Sequence, residues 1–500
     1  LAAPQTKTIF IAFCSEKVYT RENILSSYMS LTRQIAHNTL IQIAGKIITT
    51  LLGLIAIAMM TRYLGAERFG WYITAISFLQ FAGILIDFGL IPVSAQMLSE
   101  GTHERTKLFQ NLMGFRALTA FVCLLIVPLV SLFFPYPHEV KIAITFTTVS
   151  FFAIALNQIL TGFLQTELKM YAASFAELFG RIFLIVGLFF LIQGHAGFLP
   201  IMLVVTLSSV IYTLGMLFFS SKYISLGMRF DWSIWKDIIV KMWPVTLSIV
   251  FNVIYLKGDI LLLSLYRSQE EVGLYGAAYR VIDIVTQIAM LSMGLLLPLL
   301  SASWARKNKA EFEGHYTRAI IMMMIIGLPM ATGMYVLARP IMQFVGGTEF
   351  VNGARALQTL AIAVVGLYIG AIYGHTAVAL NKQKQTIVVY ISAAVLTLTG
   401  YLVFVPQYGM IGAAWMSVFS EVFVGIFLFL IIHRQLKVSF PFLQIGKIIL
   451  SCSVMGVAIF FLQNIPIALS ITAGTAVYGT MLLLTKTISK ETLHEITKRS

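Results

Sequence analysis

Residues 198–219 read FLPIMLVVTLSSVIYTLGMLFF, a run without one charged side chain. At 1.5 Å per residue, a helix of this length covers the roughly 30 Å hydrocarbon core of a bilayer. Working outward from it, apolar stretches long enough to span recur along the whole chain, and about fourteen can be counted. They begin near residues 35, 71, 109, 140, 171, 198, 237, 272, 313, 355, 385, 409, 442 and 466. Composition agrees, since 58% of residues are hydrophobic and 11% charged, a balance that a water-soluble domain has no interior to hide. The expected class is an all-α integral membrane protein of about fourteen transmembrane helices.

Lys and Arg outnumber Asp and Glu, 35 to 21. The excess does not indicate nucleic acid, because the bases sit in short segments between apolar runs and there report topology. With a cytoplasmic N-terminus, Arg105, Lys107, Lys222, Arg229, Lys236, Arg306, Lys307, Lys309, Lys382, Lys384, Arg434, Lys437, Lys490, Lys498 and Arg499 fall on the cytoplasmic side. Only Arg62, Arg68, Lys141, Arg267, Arg339 and Arg355 fall opposite. Both termini are therefore expected in the cytoplasm.

The chain opens on Leu1, and its first apolar patch, residues 9–13, is too short for a signal-peptide core. Met29 is the expected natural start, a genuine cytoplasmic extension being the other reading. Between spans six and seven, Phe230, Ile234, Trp235, Ile238, Ile239 and Met242 share a helical face, with Asp231, Lys236, Asp237 and Lys241 elsewhere. This predicts either an interfacial helix along the inner leaflet or the slanted start of span seven. Cys14, Cys123 and Cys452 lie far apart and read as small apolar fillers.

Shifting the chain against itself by 203 residues aligns Tyr63, Glu67, Gly70, Tyr72 and Ala75 with Tyr266, Glu270, Gly273, Tyr275 and Ala278. Six spans separate the copies, so both units share one orientation and are related by an axis along the membrane normal. Two six-helix lobes facing a central cleft are predicted. Pro92 and Pro298 recur in spans two and eight, where proline can kink a helix that must bend.

The segment 61–99, with TRYLGAERFGWY and ILIDFGL, and the segment 257–301, with KGDILLLSLY, VGLYGAAYRV and LLPLLS, resemble the oligosaccharide flippases. These are the Wzx-like polysaccharide exporters of the superfamily that also holds multidrug (MATE) exporters and the lipid II flippase. The likeness covers about residues 30–486, through loose motifs that say little about the substrate. It implies a V-shaped bundle, alternating access, and movement of an undecaprenyl-diphosphate-linked oligosaccharide, such as an O-antigen or other surface polysaccharide repeat unit. The membrane implied is the bacterial cytoplasmic (inner) membrane, with polysaccharide polymerase and chain-length machinery as partners. Spans one, two, seven and eight are implied to line the cavity, and the stretch from about 442 matches the two extra spans of longer members. The expected division is 1–34 cytoplasmic segment, 35–221 N-lobe, 222–241 linker, 242–433 C-lobe, 434–486 extra helices and 487–500 basic cytoplasmic tail.

Ionisable side chains at bilayer depth cost several kcal/mol each unless they face water or a partner, so they are the best site candidates. The bases are Lys46, Arg116, Arg181, Lys257 and Arg280, and the acids are Asp87, Glu177, Asp259, Asp283 and Glu421. The bases are candidates to bind substrate, since a diphosphate needs charge and directed donors in place of hydrocarbon. The acids are candidates for ion pairing or for coupling to a proton gradient, a sodium gradient or the membrane potential. Glu177 and Arg181, four apart, and Arg280 and Asp283, three apart, can pair on one helix face. Lys257 and Asp259 diverge and should each reach another helix. Lys46 has no acid on its own turn and is placed near the midplane, either free for substrate or paired with Asp87. Arg116 can instead snorkel to headgroups. Five bases against five acids leave no net charge, so a positive cleft has to come from geometry.

Gly366, Gly370 and Gly374 recur every fourth residue, which permits close helix contact. No histidines stand at metal-ligand spacing, and neither a phosphate loop nor a dinucleotide fingerprint occurs, so no cofactor and no metal are expected. A cation or drug antiporter of the same superfamily is the competing transport reading, and it would call for excess acid in the cavity. A polyprenyl-linked glycan polymerase or ligase is the enzymatic alternative. The longest outer loop, 339–355, holds one acid, Glu349, and no histidine, which disfavours catalysis.

Overall fold

The computed structural model describes residues 21–87, 90–100, 104–436 and 440–487. Side chains are described within these except at 21–40, 43, 84–87, 91, 92, 95, 99, 244–250, 252–256 and 383. The expectations for Cys14, for Lys437 and for the tail residues Lys490, Lys498 and Arg499 lie outside the described residues, and those for Met29, Asp87 and Pro92 fall on side chains outside the description. The helices are α1 Arg21–Asp87, α2 Leu90–Glu100, α3 Arg105–Ser131, α4 His138–Thr166, α5 Met170–Gln193, α6 Phe198–Ser221 and α7 Trp232–Tyr266. There follow α8 Gln269–Ala305, α9 Lys309–Val336, α10 Ala338–Gly346, α11 Ala354–Ala379, α12 Gln383–Leu436, α13 Phe442–Phe461 and α14 Ile467–Leu484. A 3-10 turn, Thr348–Gly353, joins α10 to α11. No strand occurs among the described residues.

Eleven of the described helices are long and apolar enough to cross a membrane, and the chain is a multi-pass membrane protein. Two of them, α1 and α12, are each a pair of spans. Gly65 has φ 73° and Gly409 φ 56°, left-handed conformations that glycine adopts without the Cβ penalty. The chain turns back at both. In α12, Tyr401 and Ser417 stand eight residues either side of Gly409, yet their hydroxyls lie 3.3 Å apart. In α1, Ile73 packs on Gly276 of α8, while Thr50, on the other side of Gly65, meets Gln287 further along the same α8 at 3.4 Å. Depth along α8 therefore increases in both directions away from Gly65. Counting each half, and adding α7, brings the spans close to the expected fourteen.

The internal repeat is realised as a local two-fold axis. A Cβ on Gly70 would overlap the backbone of Gln269, and a Cβ on Gly273 would overlap that of Ala66. Residue 269 is the repeat partner of 66, and 273 of 70, so each contact is the mirror of the other across the axis, the hallmark of an isologous interface. The loops do the same. Thr61 donates to the Val345 carbonyl at 2.7 Å across the lobes, and Tyr136, from the α3–α4 loop, reaches Ser264 of α7 at 3.0 Å. Thr74 and Gln269 add a further cross-lobe bond at 2.6 Å. The lobes are thus stitched together at the end of the bundle that carries Gly65, here termed the junction face. Helices α13 and α14 lean on α9, with Tyr478 donating to the Ile325 carbonyl at 2.9 Å.

The opposite end carries the linker, 222–231, which is sewn onto α3. Arg229 N–H donates to the Gln110 carbonyl at 3.0 Å, and Asp231 N–H to Asn111 at 2.8 Å. The following turns are the start of α7 itself. Their apolar face is turned to protein: Ile234, Trp235, Ile238 and Met242 are buried against α3 and its neighbours. The predicted face therefore divides, because Phe230 and Ile239 are exposed with Trp232, Val240 and Trp243. Lys107 holds Asp231 at 2.7 Å and Lys241 holds Glu100. These bases keep both carboxyls below their usual range, each chiefly by a direct hydrogen bond.

Candidate functional site

Between the lobes, the membrane charges assemble into two clusters, each with one acid shared by two bases. In the first, Glu177 of α5 lies 3.5 Å from Lys46 and 3.8 Å from Arg181. In the second, Asp283 of α8 lies 3.0 Å from Lys257 and 3.3 Å from Arg280. The Lys257 ammonium also sits 4.4 Å over the Tyr279 ring, a cation–π contact, and Arg280 bonds to Tyr72 of the other lobe. All six charged side chains are half-buried, their exposures running from 22% to 42%.

Helical spacing shows which way they face. Asp283 and Arg280 lie one and two turns before Gln287 on one stripe of α8, and Lys46 lies one turn before Thr50 on α1. Since Thr50 and Gln287 touch each other across the lobes, both clusters border the inter-lobe space. The result is a polar seam running from Arg280 through Gln287 and Thr50 to Arg181. Among the described residues it holds four bases and two acids, an excess of two positive charges.

The remaining candidates lie off this seam. Arg116 is 2% exposed and donates to the Ala155 carbonyl at 3.1 Å and to Gln158; it braces α3 on α4 and neither faces the cleft nor snorkels. Asp259 is fully buried behind the seam, taking bonds from Tyr275 at 2.7 Å, Ser417 at 3.4 Å and the Ile260 N–H at 2.8 Å. Glu421 lines a separate cavity in the second lobe. Pro298 lies within α8, exposed. Lys46 finds its acid in Glu177, while Asp87 is outside the described side chains. Its depth also differs from expectation: nineteen residues separate Lys46 from the Gly65 turn, about 28 Å of helix, so it sits toward the linker face. The apolar run starts before the crossing does, because α1 is already helical from Arg21. Thr50, Gln287 and Tyr279 were not singled out by sequence, although the first two stand four residues from Lys46 and Asp283, and Tyr72 was marked only as a repeat position.

A family model described as polysaccharide biosynthesis protein matches residues 59–355, well over half of the chain. The chain belongs to the polysaccharide biosynthesis protein family. This family member is 24% identical over 234 residues to a probable low-salt glycan biosynthesis flippase of Haloferax volcanii, covering 45% of this chain and 49% of that one. It is 25% identical over 200 residues to a candidate O-antigen transporter of Shigella dysenteriae, covering 39% and 49%. The chain thus matches about half the length of these curated relatives. Among solved structures, its fold is similar to the lipid II flippase MurJ in an inward closed conformation, with TM-score 0.74, 17% identity, and coverage of 88% of this chain and 98% of that one. An inward-facing multidrug MATE transporter follows at TM-score 0.62 and 16% identity, over 80% and 98%.

Proposed function

We propose that this protein is a flippase for lipid-linked oligosaccharide, moving an undecaprenyl-diphosphate-linked repeat unit across the bacterial cytoplasmic membrane by alternating access. The observation that carries the reading is the seam, where two clusters at different depths each hold, among the described residues, one more base than acid. A diphosphate crossing hydrocarbon needs such charge beside it, and guanidinium groups offer paired donors as well. In this reading the junction face is the outer one, both termini are cytoplasmic, and the lobes part toward the cytoplasm. Opening outward requires the Gly70–Gly273 contact and its flanking bonds to break while the linker-side ends close.

A transporter fits better than an enzyme. The loop acid Glu349 is committed to structure, accepting the Ala66 N–H at 3.0 Å where α1 restarts after Gly65. An excess of bases on the seam also favours an anionic over a cationic cargo. Coupling to a proton gradient, a sodium gradient or the membrane potential, and hand-over to a polymerase and chain-length machinery, belong to this proposal. The test is reconstitution in liposomes with a fluorescent polyprenyl-diphosphate glycan. Wild-type protein should translocate it, and Lys46→Ala and Arg280→Ala should each lower the rate at least tenfold with folding intact. Wild-type rates in both variants would remove the seam from the mechanism.

A further inference from the structure

The linker end of α5 and α6 carries two bases whose neighbours are aromatic rings instead of acids. The Lys169 ammonium lies 5.9 Å from the centre of the Tyr171 ring and 5.8 Å from that of Tyr223. The Lys222 ammonium lies 4.6 Å from the centre of the Phe218 ring and 5.5 Å from that of Phe219. Such cation–π contacts hold an ammonium in place without neutralising its charge. Neither lysine makes an ion pair among the described residues, and Glu167, the acid of the α4–α5 loop, is taken by Arg105. The Tyr171 and Tyr223 hydroxyls share one hydrogen bond at 2.8 Å. Whichever of them donates, the proton of the other is free to donate outward. The cluster therefore presents positive charge and a hydroxyl donor, with no carboxylate among them.

An apolar groove leads from this cluster into the bilayer. The antiparallel pair α5 and α6 meets where a Cβ on Gly215 would lie 3.0 Å from that of Ala176. Phe175 precedes Ala176 and Leu214 precedes Gly215, and in antiparallel helices the same one-residue step back from a contact turns to the same side of the pair. Phe179 shares the stripe of Phe175, and Phe218 that of Leu214, each four residues on. All four side chains are exposed. Toward the linker, the next position on the first stripe is Tyr171 and the next on the second is Lys222, so both stripes end at the cluster. The groove is separate from the seam, because Phe175 and Glu177 flank Ala176 and point about 160° apart on α5.

We propose that this groove holds an anionic phospholipid, its phosphate at Lys169, Lys222 and the tyrosine pair and its acyl chains along Phe175, Phe179, Leu214 and Phe218. Charge complementarity selects the headgroup. A phosphodiester of net negative charge supplies what the two ammonium groups lack, whereas a choline headgroup would bring a further cation to the same place. The apolar stripes select a lipid over free phosphate, which has nothing to lay along them. The site does not depend on what the seam carries.

The test is quenching of a bimane label by brominated lipid in phosphatidylcholine nanodiscs, with the purified full chain, fixed ionic strength and no glycolipid, so the outcome is independent of the flippase reading. The label is placed at Leu214→Cys, in the groove, or at Leu203→Cys, exposed near the junction end of the same helix, in a background lacking the native cysteines. Each sample carries the same small fraction of either brominated phosphatidylglycerol or brominated phosphatidylcholine. At Leu214→Cys the anionic lipid should be enriched over the zwitterionic one about fivefold or more, and at Leu203→Cys the two should quench equally. Lys169→Ala with Lys222→Ala should abolish the preference, while Lys169→Arg with Lys222→Arg, which keeps the charge, should retain it. Equal quenching by the two lipids at Leu214→Cys, or a preference that survives the alanine pair, overturns the proposal.

Discussion

Adding one methyl group at the two-fold axis should unlatch the junction face. In Gly70→Ala the new Cβ lies 2.6 Å from the Gln269 carbonyl carbon and 3.1 Å from Gly273 N. Both neighbours are backbone, which cannot rotate away as a side chain would. Overpacking of this kind costs about 1–3 kcal/mol, and the cost falls only on states in which the lobes touch here. A penalty of about 2 kcal/mol shifts the balance toward the parted state about thirtyfold. Gly273→Ala should act alike, because its Cβ meets the Ala66 carbonyl carbon at 3.0 Å from the symmetric direction. Spin labels at Glu67→Cys and Glu270→Cys, both exposed, in a background lacking the native cysteines, report the separation by pulsed dipolar spectroscopy. The parent should give one short distance and each alanine variant a longer population. An unchanged distribution in both variants would refute the axis contact as the element that holds this face closed.

Other outcomes follow from particular side chains. Arg116→Leu should lower thermal stability, by about 2–3 kcal/mol for lost charged hydrogen bonds, yet leave the per-molecule translocation rate of the folded fraction unchanged. Asp283→Asn frees two bases from their shared acid, and should tighten binding of a polyprenyl diphosphate while slowing its release in single-turnover assays. The linker clamp should be pH-sensitive in one direction. Glu100 and Asp231 are held below their ordinary values, so their clamps contribute above the unfolded values and are lost as pH falls through the lowered ones. Hydrogen exchange of 222–231 should stay slow at neutral pH and rise in acid, and Lys241→Ala with Lys107→Ala should make it fast already at neutral pH.

Much of this architecture is legible in the chain because lipid imposes two plain demands, apolar length and satisfied backbone. The repeat was readable for a related reason: Gly70 and Gly273 recur at the positions where the backbones of the two lobes touch. Pairing within one helix, Glu177 with Arg181 and Arg280 with Asp283, follows from spacing alone. What spacing cannot supply is partners across helices. Lys46 and Lys257 each join an acid that already serves another base, and that sharing leaves the seam, among the described residues, with two more bases than acids. Arg116 misleads for the same reason, since its partners lie on α4, 39 and 42 residues away. The depth of Lys46 escaped because hydropathy does not mark where a helix enters the membrane when the helix begins well outside it.

The proposed transport requires the excess positive charge of the seam to hold the phosphorylated headgroup. Its most direct measurement is the Kd of the protein in nanodiscs for a short-chain polyprenyl-diphosphate disaccharide, compared with the same disaccharide on an uncharged polyprenyl ether. The charged lipid should bind at least tenfold tighter, and Lys46→Ala combined with Arg280→Ala should erase the difference. Equal affinity for the two lipids, or a preference that survives the double substitution, would contradict it.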